Sequence, residues 1–198
     1  MVAKKLTEVM PGNFEKKALL VNSGTEAVEN AIRIVKTFTN RQGLIHFHNS
    51  FHGRSLLTTA LTGRARPYKR RMGPFPPGII QAPYAYCYRC PLGHEYPNCD
   101  IYCIEYLKLI LTTQIAPEDV AAIIVEPRQG DGGFIFPPKE FFRRLRKLAD
   151  DYDIILIDDE IQAGIGRTGT FWAIENYGII PDLITAGKSL DGAFHCQP

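Results

Sequence analysis

The sequence lacks any run of apolar residues near the ~20 that a bilayer-spanning helix requires; its longest, residues 120–125 and 154–157, are strand-sized, so a soluble protein without membrane partners is expected. It also lacks an excess of charge. Lys and Arg number 23 against 21 Asp and Glu, a formal +2 that is too small to imply an electrostatic search for nucleic acid. The opening Met1-Val2-Ala3-Lys4-Lys5-Leu6-Thr7-Glu8 has neither the apolar block nor the small-residue cleavage site of a secretory signal, and a cytoplasmic location is the default expectation. Cysteine is scarce, with five in 198 residues, and four of the five crowd into positions 87 to 103, which is not how a secreted disulfide scaffold spaces its staples. A hydrophobic content of 45% excludes disorder, collagen and coiled coil, and the length allows a sizeable core without disulfides or metal.

What is present alternates between two periods. Residues 18–21 form a short apolar run that reads as a strand, and Ala27, Val28, Ala31, Ile34, Val35 and Phe38 then follow at spacings of three and four. That stripe predicts a helix, with Ser23 or Thr25 as its cap, Glu26 and Glu29 near its positive end, and Gly43 as its stop. Residues 44–47 read as a strand, 55–61 as a short helix, and 64–88 as a long irregular stretch rich in Pro and Gly. Helices are predicted at 100–115 and 138–152, and buried strands at 120–125, 154–157 and 183–185. Strands that are apolar throughout, separated by amphipathic helices, indicate a mostly parallel sheet covered on both faces, a three-layer α/β domain.

In such sheets ligands sit beyond the carboxyl ends of the strands. The segments there are 22–25, 48–53, 126–133, 158–162 and 186–188, where much of the chain's Gly and polar content collects. Asn22-Ser23-Gly24-Thr25 opens a helix, whose free N–H groups suit a phosphate; a plain capped helix is the alternative, and the absence of a Lys after the glycine argues against a P-loop. Gly164-Ile165-Gly166-Arg167-Thr168-Gly169 matches the dinucleotide fingerprint. Its strand does not run directly into the glycines, however, and no acidic residue ends a second strand about 20 positions on, so it reads as a turn. Asp158-Asp159-Glu160 ends a buried strand, where carboxylates are costly unless they are paired or face a cation, either a metal or a protonated ring nitrogen. Lys188, in a glycine-bounded loop past a later strand, is either a surface lysine or an amine able to form a Schiff base.

Together, a phosphate-binding helix start, a strand-end Asp, the aromatic-His-Gly segment Phe51-His52-Gly53 and a strand-end Lys are the components of a pyridoxal 5'-phosphate site. Six motifs in order resemble those of class III pyridoxal-phosphate-dependent aminotransferases, with the 4-aminobutyrate and ornithine enzymes as the nearest branch. They are Asn22-Ser23-Gly24-Thr25-Glu26-Ala27, Phe51-His52-Gly53-Arg54, Glu126-Pro127-Arg128-Gln129-Gly130-Asp131-Gly132-Gly133, Asp159-Glu160-Ile161-Gln162-Ala163-Gly164, Gly166-Arg167-Thr168-Gly169 and Lys188-Ser189-Leu190.

The resemblance implies the large domain of fold type I, a homodimer in the intact enzyme, and amino-acid and 2-oxo-acid substrates. It also implies roles. Ser23, Gly24 and Thr25 would bind the cofactor phosphate, Phe51 would stack on one ring face and Ile161 pack on the other, and His52 would belong to the cofactor pocket. Asp159 would pair with the ring nitrogen, Gln162 would hydrogen-bond the ring hydroxyl, and Glu126 would support the site. Lys188 would carry the cofactor aldehyde and shuttle the proton. Asp131 matches a position where 4-aminobutyrate enzymes have a Glu that pairs with a substrate-side Arg. The family chain is longer, so residues 1–198 are expected to be a partial cofactor-binding large domain, with the N-terminal segment and C-terminal small domain absent and catalysis lost in the fragment. Asp191 stands where a glycine normally follows the Lys-Ser-Leu motif, and residues 194–198 depart from the family pattern.

Some features stand apart from that reading. Cys87, Cys90, Cys99 and Cys103, in a loop insertion at about residues 84–103, have spacings that a tetrahedral zinc site could use, with disulfides or reduced packing cysteines as alternatives. The basic run Arg64, Arg66, Lys69, Arg70, Arg71 has no aromatic series around it and reads as a solvated or interface loop. His46 and His48 have no matching carboxylates to make a metal site. Two further functions are carried beside the aminotransferase: an amino-acid racemase of the same fold, which would use the same Lys188, and a non-catalytic, zinc-stapled binding protein.

Overall fold

The computed structural model describes residues 1–190; Asp191 and residues 194–198 fall outside the described residues. Five helices, α1 (Val2–Val9), α2 (Gly24–Thr39), α3 (Leu56–Ala60), α4 (Tyr102–Thr113) and α5 (Lys139–Asp151), accompany five strands among those residues. The strands are β1 (Gly43–Phe47), β2 (Ile79–Ala82), β3 (Val120–Val125), β4 (Ile155–Asp159) and β5 (Leu183–Thr185). They form one sheet in the order β2-β1-β3-β4-β5, and every pairing is parallel. No helix of the described residues is long and apolar enough to cross a membrane.

The alternation of side chains along each strand divides the core in two. Leu44, Ala122, Ile124 and Ile157 face α2, which contributes Val28, Ala31, Ile32 and Val35. Ile45, Phe47, Ile123, Val125 and Leu156 face the other way and pack with Ile104, Leu107 and Leu111 of α4 and Phe141, Phe142, Leu145 and Leu148 of α5. The sheet therefore has three layers, as its uniformly apolar strands require. Phe47, Tyr84 and Phe141 meet edge-on at centroid distances of 5.3 to 5.7 Å, a preferred aromatic geometry that ties β1 to α5.

Three sequence expectations are corrected. Residues 18–21 form no strand; Leu19 and Leu20 are exposed, and an apolar run without a neighbouring strand gains nothing from extended pairing. A strand instead lies inside the stretch read as irregular, where Ile79–Ala82 pairs with β1 in the register Leu44 to Ile79 and Phe47 to Ala82. Helix α2 ends before Gly43, at Asn40, whose left-handed backbone (φ 55°) lets its N–H bond the Lys36 carbonyl; Gly43 opens β1 instead, where a Cβ would overlap Ile115.

The strand order carries a functional consequence. From β1 the chain passes to β2 on one side and later returns to β3 on the other, so the connections leaving β1 and β3 diverge and open a crevice at their carboxyl ends.

Candidate active site

That crevice is lined by the residues the sequence singles out. A cavity of about 440 Å³ is bounded by Asn22, Ser23, Gly24 and Thr25 at the start of α2, Phe51, His52, Gly53 and Arg54 after β1, Tyr68, Glu126 after β3, Asp159, Ile161 and Gln162 at the end of β4, and Lys188 after β5. All ten expected cofactor-site residues share this one space.

Ser23 is the helix cap: its Oγ accepts the Glu26 N–H at 3.2 Å, while Glu26 returns to accept the Asn22 N–H at 2.8 Å. Gly24 and Thr25 follow as the first helical residues, whose N–H groups have no intrahelical carbonyl to reach and point with the positive end of the helix dipole toward the cavity. Glycine at 24 lets the helix start approach β4's exit, because a Cβ there would press on Ile161 at 3.0 and 3.1 Å. Gly53, with φ 136°, similarly leaves room for the Thr25 and Thr58 hydroxyls.

Asp159 is buried and held by three hydrogen bonds. Its Oδ2 lies 2.7 Å from His52 Nδ1, and since a carboxylate only accepts, the imidazole donates there. Oδ1 accepts from the Ile161 N–H at 3.1 Å and the Thr185 hydroxyl at 3.2 Å. His52 Nε2 has no partner among the described residues. Glu126 bridges the crevice by accepting the Phe51 N–H at 2.8 Å and the Gly130 N–H at 3.4 Å, and burial pushes its carboxyl up to about 7. Gln162 rests on Gly130, where any Cβ would overlap its amide oxygen.

Asp158 points to the opposite side of β4 and is fully buried, with neither oxygen hydrogen-bonded among the described residues. Burial and the neighbouring Glu160 raise its carboxyl far above the usual range. Glu160 is raised by the same burial and is moderated by the Ile174 N–H, which its Oε1 accepts at 2.8 Å. His46 also belongs to the core: it meets Ser50 Oγ at 3.2 Å, and burial lowers its pKa well below the ordinary value.

Lys188 lines the cavity but is exposed rather than tucked away, with a left-handed backbone (φ 47°), because β5 is the last strand in the sheet order and its loop has a strand on one side only among the described residues. Asp131 has partners among the described residues. Its Oδ1 accepts the Tyr68 hydroxyl at 2.7 Å and its Oδ2 lies 3.5 Å from Arg64, so the carboxylate is already engaged.

Cys87, Cys90, Cys99 and Cys103 are partly buried free thiols around a void of about 20 Å³ that is also lined by Tyr84, Leu92, Ile101 and Tyr102. Among the described residues no group of three or more His, Cys, Asp and Glu is arranged to hold a metal. Burial, with the neighbouring thiols adding to it, raises Cys103 to about 12 and Cys87 above its usual value. Arg54 and Tyr68 are the cavity residues that spacing did not single out; Arg54 was visible only as the end of its motif, and nothing marked Tyr68 within the irregular stretch.

The Aminotransferase class-III family model matches residues 1–198. The chain is 44% identical to a probable 4-aminobutyrate aminotransferase of Bacillus subtilis, over 96% of this chain and 43% of that protein. It is 46% identical to a 5-aminovalerate aminotransferase of Pseudomonas aeruginosa, over 98% and 44% respectively. An (S)-enantioselective omega-transaminase from Thermomicrobium roseum superposes with a TM-score of 0.86 at 30% identity, covering 93% of this chain and 42% of that one. The chain thus spans less than half the length of the curated relatives it matches. With the parallel α/β fold and the ordered motifs in agreement, the chain belongs to the class III aminotransferase family.

Proposed function

We propose that residues 1–198 form part of the cofactor-bearing large domain of a pyridoxal-phosphate-dependent aminotransferase, homodimeric when intact, that moves an amino group from an amino acid such as 4-aminobutyrate or ornithine to 2-oxoglutarate. One observation carries the reading: a helix start with free N–H groups, a buried strand-end carboxylate and a lysine line the same cavity of about 440 Å³. The donor set suits this cofactor, because it pairs N–H groups for a phosphate with an acceptor for a ring N–H, flanked by the apolar side chains of Phe51 and Ile161.

Pyridoxal phosphate, when bound, supplies an aldehyde that captures amines and a protonated ring that accepts electrons. Each residue then has a defined task. The Gly24 and Thr25 N–H groups, with the Ser23 hydroxyl, hold the phosphate. Asp159 accepts the ring N–H, and the three hydrogen bonds from His52, Ile161 and Thr185 keep its oxygens oriented for that task. Phe51 and Ile161 exclude water from the ring, and Gln162, steadied on Gly130, donates to the ring hydroxyl. Lys188 Nζ would hold the cofactor's aldehyde carbon and would serve as the base that accepts and returns the proton at the substrate carbon.

The test is a titration of the chain with pyridoxal phosphate, followed by cofactor absorbance, beside Asp159→Ala. Saturable binding that weakens at least tenfold in the variant supports the reading; identical weak binding by both contradicts it. In the intact enzyme, conversion of the donor to its oxo acid only when a 2-oxo acid is added marks transamination, whereas inversion at the α-carbon without an acceptor marks racemisation.

A further inference from the structure

Tyr68 and Asp131 come from segments 63 residues apart, yet the Tyr68 hydroxyl donates to Asp131 Oδ1 at 2.7 Å. The Tyr68 ring lies against Phe51, with centroids 4.9 Å apart and planes tilted by 58°, and both rings line the cavity. The loop carrying Asp131 is itself fixed. Gln129 and Ile135 exchange backbone hydrogen bonds at 3.1 and 3.0 Å, Gln129 Nε2 donates to the His48 carbonyl at 2.7 Å, and Gly132 sits so close to Asn49 that a Cβ would meet its backbone oxygen at 2.9 Å. Arg64 adds a second clamp, donating to the Asp131 backbone carbonyl at 3.2 Å.

We propose that Tyr68 is a positioning residue: Asp131 clasps its hydroxyl and so holds its ring as a brace behind Phe51, fixing the aromatic wall against which the cofactor ring rests. The inference builds on the proposed function. Phe51 is anchored at its backbone by Glu126, but its side chain is free to rotate unless something packs on it; Tyr68 is the ring that does so. Tyr68 is in turn a half-buried side chain on an irregular turn, and a hydrogen bond to a charged acceptor supplies the orientation that packing alone does not. Asp131 accordingly acts through Tyr68 and Arg64.

The experiment uses the full chain as wild type, Tyr68→Phe, Asp131→Asn and the double variant, with two readouts. In the cofactor-free chain, the ultraviolet titration of Tyr68, taken as the difference between each protein and its Tyr68→Phe counterpart, lies above the ordinary tyrosine range and falls when Asp131 becomes Asn, since the Asp131 hydrogen bond is the largest cause of that elevation. With pyridoxal phosphate added, each single variant weakens binding by about three- to tenfold, the loss expected of one hydrogen bond, and reduces the induced circular dichroism of the cofactor band; the double variant is no worse than either single. An unchanged Tyr68 titration in Asp131→Asn overturns the clasp. Additive losses, or a Tyr68→Phe protein with unaltered affinity and dichroism, overturn the brace. A wild-type chain that shows the Tyr68 shift but no cofactor binding overturns the proposed function, and the brace with it, while leaving the clasp standing.

Discussion

His52 Nδ1 lies 2.7 Å from Asp159 Oδ2, joining the loop after β1 to the end of β4 across 107 residues, with both side chains almost completely buried. The pair links fold and chemistry: it closes the site's floor and sets the direction of the carboxylate that faces the cavity. Replacing His52 with Ala removes the donor and leaves Asp159 Oδ2 buried without it. The expected cost is ~2 kcal/mol in urea unfolding, together with weaker cofactor binding. Unchanged stability would show that the contact contributes nothing net.

Glu126 predicts a pH dependence of the opposite sign to that of most carboxylates. Its folded pKa, about 7, lies above the ordinary 4.5, so its contribution to stability is fully present below about 4.5 and is lost as pH rises through 7. Burial also raises Asp158 and Glu160, which act in the same direction, and lowers His46, which opposes the trend at acid pH, so the wild-type curve mixes all of these. The difference between wild type and Glu126→Gln isolates the carboxylate: the variant gains on wild type by ~2 kcal/mol between pH 5 and pH 8.5. A difference that is flat over this range contradicts the assignment.

Gly130 tests whether Gln162 is held by shape. An added methyl would occupy the position of the Gln162 amide oxygen, and the backbone of Gly130 is not in the left-handed region, so strain does not confound the substitution. Gly130→Ala is expected to keep its circular dichroism and unfolding midpoint within ~1 kcal/mol of wild type while losing about tenfold in pyridoxal phosphate affinity. Equal affinity would mean that Gln162 does not contact the cofactor.

Much of the architecture is legible in the sequence because burial writes a period into it. Strands β3 and β5 are read with their observed bounds, and α2, α4 and α5 within a few residues, since each carries an apolar stripe that has one side to face. Strand β2 is not legible: it is four residues long, only partly buried, and preceded by the Pro and Gly of residues 73–78. The run at 18–21 misleads for the reverse reason, being apolar but exposed. Helix α1, short and without a fully buried residue, leaves little trace. At the site, the cavity-lining residues after β1, β3, β4 and β5 are readable from strand positions, and residues 22–25 are readable from the start of the α2 stripe. The Tyr68 to Asp131 contact is not, because it joins two loops whose meeting depends on the whole sheet being assembled.

The central claim is that the lysine after β5 belongs with the anion-binding start of α2 and with Asp159. Borohydride reduction of the chain in saturating pyridoxal phosphate, followed by peptide mass mapping, tests it most directly. The account predicts that the phosphopyridoxyl mass sits on Lys188 and that this label falls at least tenfold in Asp159→Ala, with other lysines unaffected. Label spread over exposed lysines such as Lys4 and Lys17, with Lys188 no more modified than they are, would contradict it.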